Sequence, residues 1–155
     1  MKNKQKIYGI FSVVLLLDQL IKILVRKNME LYEEIKIIPR FFSIYYVENT
    51  GAAFSILKDA TIGLIVISVV FIVLINREIK KEEQNLNTLS IFSLGIILGG
   101  IFGNLVDRVL YHHVIDYLSF TFGSYSFPVF NLADMGITIG LGLLLFDAWK
   151  RRKEV

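Results

Sequence analysis

Four apolar blocks decide what this chain can fold into. They run over about 7–25, 60–75, 88–107 and 131–149, beginning respectively with "IYGIFSVV", "ATIGLIVI", "TLSIFSLG" and "NLADMGIT". A helix crosses a bilayer with roughly 20 mostly apolar residues, so each block reads as a membrane span. The first has a basic start, as a secretory signal peptide does. It lacks a small-residue cleavage site and carries Asp18 and Lys22, so a retained span is expected. With 155 residues, 54% of them hydrophobic, the chain is expected to form a single integral membrane domain over residues 1–155.

An even number of spans places both termini on one side. Lys2, Lys4 and Lys6, then Arg77, Lys80 and Lys81 between spans two and three, and the tail Lys150 to Lys153 would share it. The positive-inside rule makes that side the cytoplasm. The long connection, about 28–58, and the shorter one from Arg108 to Phe130 then face outward. In the first, "EIKIIPRFFSIYYV" is rich in Ile, Phe, Tyr and Val and predicts short strands, with Pro39 at an edge or turn. "NTGAAFSIL" predicts an interfacial helix. The expected fold class is an α-helical membrane protein: four transmembrane helices with a small extracytoplasmic sheet resting on the membrane. Glycines at 95, 99 and 103, with Gly136 and Gly140, predict close packing of spans three and four.

Several chemistries are excluded at once. The chain has no cysteine, which removes disulfides, thiolate metal sites and a cysteine nucleophile. The net charge of +3 forms no basic stripe of the kind nucleic acid requires. His112 and His113 are adjacent, so on a helix they point about 100° apart and make a poor metal pair. No metal and no cofactor are expected.

What remains is a gathering of polar groups at the outward ends of the spans. Counting back roughly 20 residues from Lys150 places Phe130 at the boundary, so Asp134 lies about 6 Å inside it. Asp116, in "VIDYLSF", follows span three, and Gly123 and Pro128 let the intervening loop fold back. Two converging carboxylates hold one proton between them, the equipment of an aspartic hydrolase. Asn104, Asp107 and Arg108 share one face of span three, and Arg108 is placed to neutralise Asp107 or to hold a carbonyl or phosphate. Asp18 and Lys22 lie at i, i+4, where an internal salt bridge would lower the cost of burial and Lys22 could snorkel outward. Asp147, four residues before Arg151, reads as a solvated pair.

Taken in order, "DQLIK", "VENTGAAFS", "GGIFGNLVDR", "VIDYLSF" and "FPVFNLAD" resemble bacterial lipoprotein signal peptidase, or signal peptidase II, a family of membrane aspartic peptidases. The resemblance covers nearly the whole chain. It implies that Asp116 and Asp134 are catalytic, and that Asn49, Gly51, Asn104, Arg108, Asn131 and Ala133 form the substrate pocket. Asp18 and Lys22 take supporting positions, and Asp107 beside them is expected to do the same. It implies a substrate too: prolipoproteins cut just before a diacylglyceryl-modified cysteine, with lipid entering from the bilayer. Phe54 and the Tyr45/Tyr46 region would make apolar contacts with the substrate, globomycin would inhibit, no cofactor is needed, and a monomer is expected. Met135 departs from the family, many members carrying a small polar residue there. Two other classes compete. A small ion-coupled transporter needs ionisable groups through the middle of its spans, and a non-enzymatic assembly factor would tolerate loss of both aspartates.

Overall fold

The computed structural model describes residues 2–51, 61–82 and 84–153. Among these, four helices are long and apolar enough to cross a membrane: α1 (Asn3–Asn28), α2 (Thr61–Glu82), α3 (Thr88–Tyr111) and α4 (Leu132–Lys153). Each runs past the C-terminal end of its apolar block, α2 the furthest, because polar residues such as Arg77 and Lys80 continue a helix once it has formed. The lipid-compatible side chains point away from the protein. Val13, Leu16, Leu20 and Leu24 of α1 and Val66, Val70 and Phe71 of α2 are about half exposed, an arrangement stable only with hydrocarbon around it.

α3 is the central helix, buried against the other three along most of its length. Glycine makes that possible, and spans three and four do pack closely as expected, although Gly95 and Gly99 serve a different contact. A Cβ on Gly95 would lie 2.7 Å from Ile10 Cβ, and one on Gly99 would lie 2.6 Å from Val14 Cβ, so this face meets α1. The α3–α4 contact uses Gly136, where a Cβ would stand 2.9 Å from the Ile96 carbonyl, together with Gly100 and Gly140. Spacing by four defines a face but not the helix it packs on. At the end holding the chain termini, Asp147 is 5% exposed rather than solvated. It accepts from Asn87, Ser90 and Arg151, which pins α4 to the start of α3.

At the opposite end lies a four-stranded sheet in the order β1 (Glu34–Ile38), β2 (Phe42–Asn49), β3 (Val114–Phe122), β4 (Tyr125–Ser126), with every pairing antiparallel. Pro39 sits in the β1–β2 turn, as its missing N–H and fixed φ require. The third strand, "VIDYLSFTF", comes from the second connection, where no strand is expected from the sequence. Its β-branched and aromatic residues suit a strand, and its register against β2 sets Asp116 opposite Val47. Val25, Tyr46, Ile115 and Tyr117 form a small core between α1 and the sheet. Tyr46 is therefore inside, its hydroxyl on Glu48 at 2.9 Å, whereas its neighbour Tyr45 is half-buried. Residues 52–60, with the expected interfacial helix and Phe54, lie outside the described residues.

Candidate active site

"FNLAD" builds its own geometry. Asn131 is the N-cap of α4, and its Oδ1 accepts from the Asp134 N–H at 2.9 Å. The Asp134 carboxylate reaches back to accept from the Asn131 N–H at 3.3 Å. This reciprocal pair is a capping box with aspartate in the third helical position. It fixes the carboxylate at the positive end of a helix, where negative charge is favoured.

The rest of that first turn is held from outside α4. The Leu132 N–H donates to the Tyr117 hydroxyl of β3 at 3.2 Å, and the Ala133 N–H to Asp18 Oδ1 of α1 at 3.0 Å. Every helix start leaves about four N–H groups without intrahelical partners. Here β3 and α1 supply the acceptors for Leu132 and Ala133, and the Asn131 cap serves Asp134.

β3 brings the second acid. The Phe130 carbonyl accepts from the N–H groups of Tyr117 and Leu118, and the Phe130 N–H donates to the Leu118 carbonyl. The strand is thereby laced to the residues just ahead of α4. Asp116 Oδ1 then accepts from Asn131 Nδ2 at 2.7 Å, and Oδ2 from Asn49 Nδ2 at 2.9 Å. Asp134 Oδ1 accepts from Asn104 Nδ2 at 2.7 Å. Asn131 therefore touches both acids, one through its side chain and the other through its backbone. Asp116 is 2% exposed, whereas Asp134 is only half-buried.

Burial, and then the charge of Asp134, push the Asp116 carboxyl up from 3.8 to about 7, against the pull of the Asn49 and Asn131 amides. A folded value above the unfolded one means the folded state holds the proton more tightly. The stability this group contributes is full below about pH 4 and is lost as pH rises through about 7. Asp116→Asn, which mimics the protonated form, is expected to melt well above the parent at about pH 8 and close to it at about pH 4. Thermal melts in detergent at the two pH values check this.

The charged residues of α1 and α3 lie directly beneath. Lys22 is 1% exposed and does not snorkel. It pairs with Asp18 at 2.9 Å and Asp107 at 2.8 Å, and donates to Asn104 Oδ1 at 2.9 Å. Asp107 is thus paired with Lys22 and not with Arg108, and it accepts from the Ile115 N–H as well. Arg108 turns the other way and donates to the Gly51 carbonyl at 3.1 Å. The Gly51 N–H in turn bonds Asn49 Oδ1. Gln19, within "DQLIK" but marked by nothing in its local sequence, donates to Asp107 and to the Gly103 carbonyl. Tyr117 escapes sequence reasoning too, since nothing local marks a strand tyrosine as the acceptor for a helix start. Ala133 and Asn131 are fully buried, and Gly103 packs against Asp18 and Ala133. The polar and small residues that the sequence singles out for the site thus converge on one region. His113 stands apart, stacked on Tyr111 and 3.3 Å from Glu48.

A buried acid with a raised pKa beside a more open one at a helix start is suited to sharing a proton and activating water. The comparisons agree with that chemistry. The family model described as Signal peptidase (SPase) II matches residues 10–150. A lipoprotein signal peptidase of Maridesulfovibrio salexigens is 40% identical over 156 residues, covering 97% of this chain and 99% of that protein. The lipoprotein signal peptidase of Halothermothrix orenii is 42% identical over 148 residues, covering 95% and 97%. A solved structure described as a bacterial membrane enzyme superposes with a TM-score of 0.86 at 29% identity, covering 94% of this chain and 88% of that one. The chain is a multi-pass membrane peptidase that belongs to the signal peptidase II family.

Proposed function

We propose that Asp116 and Asp134 are the catalytic pair with which this enzyme removes the signal peptide from prolipoproteins, cutting just before a diacylglyceryl-modified cysteine. The observation that carries the reading is Asn131, which holds both carboxylates to one point and leaves Asp134 the more open of the two. Together the acids hold one proton and bind a water. The ionised member takes a proton from the water as its oxygen attacks the scissile carbonyl carbon, and the protonated member donates to the carbonyl oxygen. The tetrahedral intermediate collapses as the C–N bond breaks and the cysteine amine leaves with a proton from the pair. A coupled pair titrates as a unit, so activity is expected to fall once the shared proton is lost.

Asn49, Gly51 and Arg108 form the side of the site nearest the sheet, where a substrate backbone would lie. Asn104, Asn131 and Ala133 set the two acids from below. The positive-inside rule puts the chain termini in the bacterial cytoplasm and the dyad near the outer face of the cytoplasmic membrane. A lipid anchor in the outer leaflet then delivers its cysteine at the depth of Asp134. The ionisable groups cluster at this end and not through the middle of the spans, which disfavours an ion pathway.

The test is a gel-shift assay of the purified enzyme on a lipidated prolipoprotein, with and without globomycin. Cleavage that needs the lipid and is blocked by globomycin is the expected result. Processing of the unlipidated precursor at an equal rate would overturn the proposed substrate.

A further inference from the structure

The mechanism makes no use of Lys22, yet it is the most deeply sealed cation among the described residues. We propose that Lys22 is a positioning residue: it fixes which end of the Asn104 amide faces Asp134, and so sets the hydrogen bond under which that carboxylate works. This rests on the reading of Asp134 as catalytic.

An ammonium has three N–H donors and no acceptor. All three are committed, to Asp18 Oδ2, Asp107 Oδ2 and Asn104 Oδ1. Whatever faces Lys22 must accept, so Asn104 can present only its oxygen there. The NH2 end is then turned to Asp134 Oδ1 at 2.7 Å. Asn131 also reaches Asn104 Oδ1, at 3.1 Å, but its two amide protons are spread over Asp116 at 2.7 Å and the Ile115 carbonyl at 3.3 Å too. The lysine is therefore the dominant lock. Without it, Asp18 and Asp107 lose their cation, and the oxygens that faced it become open acceptors beside Asn104. They would draw its NH2 end toward themselves and turn its oxygen on the Asp134 carboxylate. Lys22 is 1% exposed, so it acts through its neighbours, and of its three partners Asn104 is the one that hydrogen-bonds Asp134.

The experiment measures kcat and KM per folded enzyme, together with melting temperature. Lys22→Met is expected to lower kcat about 100-fold with KM little changed, as a misplaced catalytic group does. It also leaves two buried carboxylates unpaired, so it should melt early. Lys22→Met combined with Asp107→Asn restores the local net charge and is expected to recover the melting temperature but not kcat. This double variant carries the test if the single one does not fold. In an Asn104→Ala background, Lys22→Met should cost no more than about a further twofold in kcat, because residues acting in series are not additive.

Recovery of kcat along with melting temperature would overturn the inference, and so would a full loss of about 100-fold on top of Asn104→Ala. Asp134→Asn run in parallel separates the two readings. If it stays active, the catalytic pair itself is wrong. If it is dead while Lys22→Met keeps its kcat, only the role of Lys22 falls.

Discussion

Asp116→Asn and Asp134→Asn are each expected to abolish prolipoprotein cleavage, with a loss of at least about 10³-fold in kcat, while the protein still folds. Asparagine keeps the volume of aspartate and one acceptor oxygen. An amide at position 116 can still accept from Asn131 or Asn49, and one at position 134 can still complete the capping box through its oxygen. What vanishes is the exchangeable proton. An amide neither takes a proton from water nor gives one to a carbonyl oxygen at neutral pH. Turnover of the lipidated substrate and a melting curve on the same preparation decide the matter. Near-parental turnover in either variant would remove that carboxylate from the mechanism.

Asn131→Ala is expected to have the next largest effect, and on both properties at once. The substitution removes the N-cap of α4, worth about 1 kcal/mol. It also leaves Asp116 Oδ1 without its shortest donor, a loss of roughly 1–3 kcal/mol for a buried charge-assisted hydrogen bond. Stability should therefore fall by about 2–4 kcal/mol, which is roughly 5–15 °C in melting temperature for a chain of this size. Turnover should fall about 100-fold, since neither acid is then held in register with the other. Asn131→Asp restores the cap but puts a third carboxylate among the first two, so it should recover stability less than a cap alone predicts, and should not recover activity. An Asn131→Ala enzyme that melts early yet turns over normally would show that Asn131 caps the helix and does nothing for the pair.

The four spans were legible because a bilayer demands length and apolarity, both of which are local properties. The capping box in "FNLAD" was also local, though its residues first draw attention only as polar groups in the wrong place. Asp116 and Asp134 could be paired from turn signals at Gly123 and Pro128. The strand that delivers Asp116 could not, because β3 exists through its register with β2, which lies far earlier in the chain. The partners of Lys22 and Arg108 were hidden for a similar reason. The i, i+4 rule found Asp18 beside Lys22, but Asp107 reaches the same lysine from another helix. Proximity along α3 likewise offered Asp107 as a neighbour for Arg108, whereas the guanidinium bonds the Gly51 carbonyl in a remote loop. Distances along one helix can be read from a sequence, but the choice among partners on several helices depends on how those helices pack.

The first turn of α4 is tied to α1 through Ala133 and Asp18, and to β3 through Leu132 and Tyr117. No partly assembled chain can satisfy those ties, because the elements that supply them are far apart along the sequence. The geometry around Asp134 is thus complete only when α4 is packed on both α1 and β3. A chain whose α4 has not yet docked would carry both acids as ordinary carboxylates, without the arrangement proposed for catalysis.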